Sequence, residues 1–100
     1  MPVVTIHDEA QFHTHMANAG GKLVVVDFTA KWCGPCQMIA PVFSRLSDKY
    51  PQAVFIKVDV DECDSLTAAH RVTAMPTFIF FRAKSKLATL QGANPQALEA

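Results

Sequence analysis

Residues 23–36 read Leu-Val-Val-Val-Asp-Phe-Thr-Ala-Lys-Trp-Cys-Gly-Pro-Cys and join an apolar run to a Cys-x-x-Cys pair. The run from Leu23 to Phe28 predicts a strand covered on both faces, as in the middle of a sheet with helices above and below. Cys33 and Cys36 then open a segment with apolar residues at helical spacing. A Cys-x-x-Cys pair alone also suits zinc sites and structural disulfides. Its place between a buried strand and a helix favours thiol–disulfide exchange.

The hydrophobic pattern on either side of this stretch predicts alternating strands and helices in an α/β domain. Prolines and glycines mark the ends of several segments. The predicted elements are, in order, a strand over Val3–Ile6, a helix from Asp8 to Ala19, a strand over Lys22–Thr29, a helix from Cys33 to Tyr50, a strand over Ala53–Val60, a helix from Asp61 to Arg71, strands over Thr77–Arg82 and Lys86–Gln91, and a helix that begins at Asn94-Pro95. A parallel front half followed by an antiparallel hairpin makes a central mixed five-stranded sheet, flanked by four helices.

The composition limits the class of protein. Half of the 100 residues are hydrophobic and 18% are charged, which is typical of a folded domain rather than a disordered segment. Nine basic residues balance nine acidic ones, so the chain lacks the summed positive charge that recruits nucleic acid or an anionic membrane. Three cysteines, an odd number, argue against the disulfide framework of a secreted protein. We therefore expect a reducing compartment, the cytoplasm, with the nucleus as a further location.

The length suits one compact domain that spans residues 1–100. The last predicted helix contains only the six residues from Pro95 to Ala100. A helix of this length buries little surface and is marginal by itself. We therefore expect a helix that is cut short, as in a domain taken from a longer protein.

The two cysteines of the pair have different predicted roles. Backbone N–H groups and the macrodipole at the start of a helix favour a thiolate. Cys33 lies at the helix end and is expected to face solvent, so it is the candidate nucleophile for a substrate disulfide. Cys36, one turn further in and more covered, is the candidate that resolves the mixed disulfide. Gly34 would let a substrate backbone approach closely, and Pro35 would stiffen the turn.

Two other uses of the pair remain open from the residues alone. A tetrahedral zinc site needs two further ligands, but Cys63 and His70 do not form a second compact pair. A redox-silent binding surface is the other alternative. His7, His13 and His15 are predicted to be solvated surface residues, because histidines two apart on a helix do not share a face. We predict no metal site.

Asp27 is an acidic residue inside the most apolar predicted strand. Burial raises the pKa of a carboxyl group, which makes Asp27 a candidate proton acceptor for Cys36. The alternative is an ionised, hydrogen-bonded carboxylate at a strand end. Lys57, on the adjacent predicted strand, is expected to point towards Asp27 and moderate its charge.

Four segments together resemble the thioredoxin family over nearly the whole chain. They are Val25–Cys36, Lys57–Asp61, Met75–Phe78 and Gln91–Ala93. The resemblance implies the thioredoxin fold and a protein-disulfide reductase that works through a Cys33/Cys36 dithiol–disulfide couple. It implies disulfide-containing proteins as substrates and no bound cofactor. Electrons would come from NADPH through a thioredoxin reductase.

The resemblance also implies a substrate-binding surface around the cysteines. Pro76 matches a proline that is cis in the family and lies beside the pair. The backbone of the residue before it, here Met75, pairs with the substrate in the family. Trp32 and Gly92 match positions on the substrate-facing surface.

A narrower resemblance and two departures complete the comparison with the family. The stretches 49–55, 74–82 and 91–93 resemble the N-terminal domain of thioredoxin-like 1 proteins, larger cytosolic proteins with a C-terminal proteasome-interacting domain. Animal thioredoxins often carry regulatory cysteines where this chain has His70 and Ala74. Cys63 remains, and we expect a small, partly buried residue there. A regulatory or intermolecular disulfide through Cys63 is the alternative.

Overall fold

The computed structural model describes residues 3–99 and confirms the predicted order of elements. The strands and helices are β1 (Val3–Ile6), α1 (Glu9–Ala19), β2 (Leu23–Thr29), α2 (Gly34–Lys49), β3 (Val54–Asp59), α3 (Asp64–Ala69), β4 (Thr77–Arg82), β5 (Ser85–Gln91) and α4 (Pro95–Glu99). Ala100 lies outside the described residues, so the expectation of a single domain with a shortened last helix stays a prediction. None of the described helices is long and apolar enough to cross a membrane.

The sheet has the order β1-β3-β2-β4-β5. The first three strands in this order run parallel, and β4 and β5 are antiparallel to their neighbours. Because β2 lies in the middle, residues 24–28 are buried on both faces, as the apolar run predicts. The hairpin between β4 and β5 turns through Ala83 and Lys84, which both have positive φ angles, as the tight turns of hairpins require.

Two hydrophobic cores cover the two faces of the sheet. Phe12 and Met16 of α1 and Leu66 of α3 pack against one face. Ile39 and Phe43 of α2, together with Leu98 of α4, pack against the other. Successive residues of β2 point to opposite cores, so this one strand connects both layers. The predicted thioredoxin fold, a mixed five-stranded sheet flanked by four helices, is confirmed.

α3 is shorter than the sequence pattern predicts, because a turn takes up the first residues after β3. The Asp59 carboxylate accepts the backbone N–H of Asp61 at 2.8 Å. The Asp59 carbonyl accepts the N–H groups of Glu62 and Cys63 at 3.1 and 3.0 Å. The helix therefore begins at Asp64 rather than Asp61. It ends at Ala69, and Arg71 follows in the left-handed region with φ 57°.

Asp8 and Asn94, at which the sequence pattern begins two helices, are the caps of these helices in the structure. The Asp8 carboxylate accepts the N–H of Gln11 at 2.8 Å at the start of α1. Asn94 Oδ1 accepts the N–H of Ala97 at 3.1 Å at the start of α4. Each cap satisfies a backbone donor that has no partner within the helix.

Candidate active site

The junction of β2 and α2 positions the cysteine pair. After β2 ends, the N–H of Cys33 donates to the carbonyl of Ala30 at 3.2 Å, which turns the chain into the helix. Cys33 is the N-cap of α2, and its Sγ accepts the N–H of Cys36 at 3.2 Å. Pro35 lies in the first turn, where its missing N–H would have no helical partner. The Cys33 sulfur therefore lies at the positive end of the helix dipole.

Cys33 and Cys36 form a disulfide across the first turn of α2, with 5.3 Å between their Cα atoms. Among the described residues, no cluster of three or more His, Cys, Asp or Glu side chains is placed to hold a metal ion. The arrangement is that of a dithiol–disulfide couple, in which the two sulfurs themselves store two electrons.

The expectation that Cys33 faces solvent is wrong. Cys33 is 6% exposed and Cys36 is 2% exposed, so both residues are buried. Cys33 packs into the core on the α1 side of the sheet, and its Sγ lies 3.6 Å from the carbonyl oxygen of Met75. The two cysteines thus differ mainly in their place on the helix and only slightly in exposure.

The Met75-Pro76 loop closes one side of the pair. Its peptide bond is cis, as the family resemblance implies. The Pro76 carbonyl accepts the N–H of Gly92 at 2.8 Å, which places the end of β5 against the loop. Gly92 has φ 90°, a conformation that L-residues with side chains rarely adopt. Pro76 and Gly92, both predicted from the family pattern, therefore meet beside Met75.

Trp32 is a large exposed side chain of the site, with 67% of its surface accessible. Its indole Nε1 donates to the Asp61 carboxylate at 2.9 Å. This role of Asp61 has no signal in the sequence, because the two residues are 29 positions apart and no local pattern joins them. A cavity of about 320 Å³ lies between Trp32, Met75 and α3 and includes Asp61 in its lining. We call this cavity the α3 groove.

The first turn of α2 leaves room for a polypeptide beside the pair. Gly34 and Pro35 are exposed, and apart from the chain neighbours and helix backbone of Gly34, no atom lies within 4 Å of the position that its Cβ would take. Gln37, which the sequence analysis did not single out, donates its side-chain amide to the carbonyl of Ala30 at 3.3 Å. The same carbonyl accepts the N–H of Cys33, so Gln37 holds the loop against the second turn of the helix.

Asp27 lies in the interior of β2, not at a strand end, and is 1% exposed. Burial raises its pKa to about 7, and the positive charge of Lys57 opposes this rise. Asp27 and Lys57 are register partners on adjacent strands, so their side chains leave the same face of the sheet. Asp27 Oδ1 is buried without a hydrogen-bond partner. The predicted burial of Asp27 is confirmed, and the positive charge of Lys57 moderates the rise in its pKa.

The remaining cysteine has a different environment. Cys63 is 4% exposed, and it is the N-cap of α3 without a side-chain hydrogen bond to the helix. Burial raises the pKa of its thiol, and nearby carboxylates raise it further. These carboxylates belong to Glu62, Asp8, Asp59 and Asp64.

The histidines lie outside the cysteine site. His7 Nδ1 lies 3.0 Å from the Glu62 carboxylate, and His13 Nε2 lies 3.3 Å from that of Glu9. Both are exposed, as predicted, whereas His15 is half-buried. His70 is half-buried among three aromatic rings, those of Phe12, Phe28 and Phe81.

A larger cavity of about 460 Å³ lies on the opposite core, near α2 and α4. Leu23, Leu46, Phe80 and Leu98 form much of its apolar wall, and Lys22 and Arg82 also line it. None of the predicted site residues lines this cavity.

Comparison with known proteins agrees with the fold and the cysteine site. The sequence profile described as Thioredoxin matches residues 3–100. Thioredoxin from Equus caballus is 49% identical over 98 residues, which cover 98% of this chain and 93% of the relative. Thioredoxin from Homo sapiens is 47% identical over the same shares of the two chains.

Solved thioredoxin structures share the fold of this chain. A wild-type poplar thioredoxin h superimposes with a TM-score of 0.96 at 37% identity, over 99% of this chain and 91% of that one. Reduced Schistosoma mansoni thioredoxin pre-protein superimposes with a TM-score of 0.94 at 38% identity, over 99% and 93%. With the profile, the relatives and the structures in agreement over almost the full length, the chain belongs to the thioredoxin family.

Proposed function

We propose that Cys33 and Cys36 carry the chemistry of this chain, which is a thiol–disulfide oxidoreductase of the thioredoxin type that reduces protein disulfides. The observation that carries the proposal is the disulfide between Cys33 and Cys36 at the start of α2. It occurs in a chain that is 49% identical to a thioredoxin. No bound cofactor is needed, because the two thiols supply both electrons.

The reaction proceeds in two exchange steps. The Cys33 thiolate attacks one sulfur of a substrate disulfide, which forms a mixed disulfide and releases the other substrate sulfur as a thiolate. The Cys36 thiolate then attacks Cys33 Sγ, which releases the second substrate thiolate and forms the Cys33–Cys36 disulfide. Two electrons pass to the substrate, and its two thiolates take up protons. The N-cap position supports Cys33 as the nucleophile, because the Cys36 N–H stabilises negative charge on its sulfur.

Asp27 takes the proton that Cys36 must lose before the second step. Its raised pKa of about 7 keeps both protonation states populated at neutral pH, as a proton acceptor requires. Lys57 restrains this rise through its positive charge, so the carboxylate form remains available. A buried carboxyl group without a partner on Oδ1 has a free lone pair for the proton.

The substrate binds as an extended segment across the loop and the first turn of α2. The Met75 backbone pairs with it, and Pro76 and Gly92 hold that loop in place. Trp32 covers one side of the segment, and the open space beside Gly34 and Pro35 admits its backbone. The 3.6 Å approach of the Met75 carbonyl to Cys33 Sγ supports this arrangement, because a backbone paired there brings its cysteine to the nucleophile. These roles follow the family pattern.

A thioredoxin reductase regenerates the dithiol, as in the family. We further propose that NADPH is the source of the electrons. The odd cysteine count favours a reducing compartment, and we propose the cytoplasm, with the nucleus as a second location.

A redox titration tests the proposed couple. The purified domain is equilibrated in thiol–disulfide buffers, and oxidation of Cys33 and Cys36 is read by alkylation and mass. Reference values are about −270 mV for thioredoxins and about −180 mV for protein disulfide isomerase. A reversible two-electron couple near the first value supports a reductase. A value near the second would make the chain an oxidant or isomerase, and the lack of a reversible couple would end the proposal.

A second candidate is a targeting domain of the thioredoxin-like protein 1 type, attached to the proteasome through a further domain. The stretches 49–55 and 74–82 favour it. The natural full-length protein should then co-purify with proteasomes, and a version reduced to residues 1–100 should not. Equal recovery of the two proteins, or no recovery of either, would reject this candidate.

A further inference from the structure

We propose that the α3 groove selects substrate disulfides with a lysine or arginine close to the reacting cysteine. This inference rests on the proposed function and adds a substrate class to it. The partner is a polypeptide with positive charge next to its disulfide.

The groove is placed to receive the residues that flank a substrate cysteine. Trp32 forms one wall and is the residue that directly precedes Cys33. Met75 lies at the other side, and its carbonyl approaches Cys33 Sγ at 3.6 Å. A substrate whose backbone pairs with Met75 therefore carries its neighbouring side chains over the groove.

The charged residues that line the groove are both carboxylates, Asp61 and Asp64. The other polar residues of the lining are threonines, and the rest are apolar. Lys31, next to Trp32 in sequence, does not line the groove. The groove thus combines apolar walls for the stem of a long side chain with carboxylates for its charged end.

Both carboxylates keep acceptor capacity for a substrate cation. Asp61 Oδ2 accepts the indole N–H of Trp32, and Asp64 Oδ1 accepts the N–H of Ser65 at 2.8 Å. An ionised carboxylate has about four acceptor positions on its two oxygens, so one hydrogen bond leaves most of them free. The Trp32 contact also fixes where the Asp61 charge lies.

Further carboxylates lie near the N-terminal end of α3. Glu62, Asp8, Asp59 and Asp64 act on the buried Cys63 thiol, whose pKa is raised first by burial and then by their charges. Asp64 is the member of this group that also lines the groove.

The size of the preference follows from the exposure of the groove. An exposed ion pair changes a binding constant by about two- to fivefold. Charges beyond direct contact act mainly on the rate of encounter and are screened by salt. We therefore expect a severalfold preference that appears in the rate of reduction at low ionic strength.

The test uses three disulfide peptides that differ at one position, two residues from the reacting cysteine. That position carries Lys, Gln or Glu, and reduction separates a fluorophore from its quencher. The reduced domain is mixed with each peptide at low salt and again in 0.5 M NaCl. We expect the order Lys, Gln, Glu, with about a threefold step between neighbours at low salt and little difference at high salt.

Matched variants assign the effect to the groove. Asp61→Asn keeps an acceptor for the Trp32 indole, and Asp64→Asn keeps one for the helix. The double variant should bring the ratio of Lys to Glu rates close to one. Asp48→Asn, near the opposite end of α2, is the control and should keep the wild-type ratio.

Three results would overturn the inference. Equal reduction of all three peptides by the wild-type domain would reject the charge preference and leave the reductase function intact. A preference that survives in the Asp61→Asn/Asp64→Asn variant would place its origin outside the groove. No reduction of any peptide would reject the proposed function, and this inference with it.

Discussion

Two cysteines of this chain occupy the same position on two different helices. Cys33 is the N-cap of α2, and Cys63 is the N-cap of α3. Both residues are buried, with 6% and 4% of their surfaces exposed. Yet Cys33 Sγ accepts a backbone N–H and is bonded to Cys36, whereas Cys63 is a free thiol without a side-chain cap.

The difference shows that a place at a helix N-terminus does not by itself make a thiol reactive. α2 has 16 residues and presents no acidic residue in its first turn, so its dipole acts on Cys33 unopposed there. α3 has six residues and begins with Asp64. Burial, and after it the carboxylates around Cys63, raise the pKa of this thiol. The surroundings of each sulfur therefore distinguish two similar backbone positions.

Removing each thiol in turn tests the contrast between the two helices most strongly. Cys33→Ser should lose reductase turnover completely, because the nucleophile is gone. Cys36→Ser should also lose turnover and should trap mixed disulfides with substrates, since no thiol remains to resolve them. Cys63→Ser should turn over like the wild type. The measurement is insulin-type disulfide reduction, with trapped adducts identified by mass.

Normal turnover of Cys36→Ser would contradict the two-cysteine mechanism. A loss of turnover in Cys63→Ser, in a variant that is still folded by circular dichroism, would contradict the contrast between the two helices.

Asp27→Asn should have the next largest effect. It should change the free energy of unfolding and the exchange reaction of the Cys33–Cys36 pair at α2. The folded pKa of Asp27, about 7, lies above its model-compound value of 3.8. The charged form is therefore penalised in the fold, so the contribution of Asp27 to stability is fully present below pH 4 and is lost as the pH rises through 7. At pH 8 the asparagine variant should gain about 2–4 kcal/mol in free energy of unfolding, with little gain at pH 4. Urea unfolding at both pH values measures this.

The same variant tests the proton transfer. Exchange should slow by about tenfold or more near neutral pH, because Cys36 loses its proton acceptor. Asp48→Asn is the control, since Asp48 is exposed and lies at the other end of α2. An unchanged pH–rate profile would remove Asp27 from the mechanism, whatever its effect on stability.

Alkylation of the reduced domain compares the reactivity of Cys33 and Cys63 directly. Iodoacetamide at pH 7 should modify Cys33 faster than Cys63, because the Cys36 N–H favours a thiolate at Cys33 whereas burial and nearby carboxylates raise the pKa of Cys63. The Glu62→Gln/Asp64→Asn variant should speed modification of Cys63 and leave Cys33 unaffected. Peptide mapping by mass spectrometry follows both residues. Equal rates at Cys33 and Cys63 would show that the carboxylates do not matter.

The smallest effect is expected from substitution of His70, which packs among phenylalanine rings at the other end of α3. This effect is on the pH dependence of stability. Burial, Lys86 and His13 lower its pKa, and Glu9 opposes them. Protonation of His70 is thus disfavoured in the fold, and stability should fall as the pH drops below about 6.5. His70→Leu should reduce the loss between pH 7 and pH 5 by up to about 1 kcal/mol. His15→Gln is the control; an equal change in both variants would argue against His70.

Much of the fold follows from local patterns in the sequence. The period of apolar residues, the caps Asp8 and Asn94, and the buried run with Asp27 each depend on neighbours along the chain. The Trp32–Asp61 contact and the burial of Cys33 depend on segments that meet only after folding. The turn that delays α3 comes from Asp59 bonding to its own successors, which a helix pattern does not reveal. The cis bond before Pro76 has a low local frequency, and only the family resemblance implied it.

The burial of both cysteines of the pair has a consequence for how electrons pass through this protein. A partner must bring its sulfur to two residues that expose 6% and 2% of their surfaces. In the proposed mode of binding, a polypeptide that pairs with the Met75 backbone does this. Electron flow is then set by recognition as well as by potential.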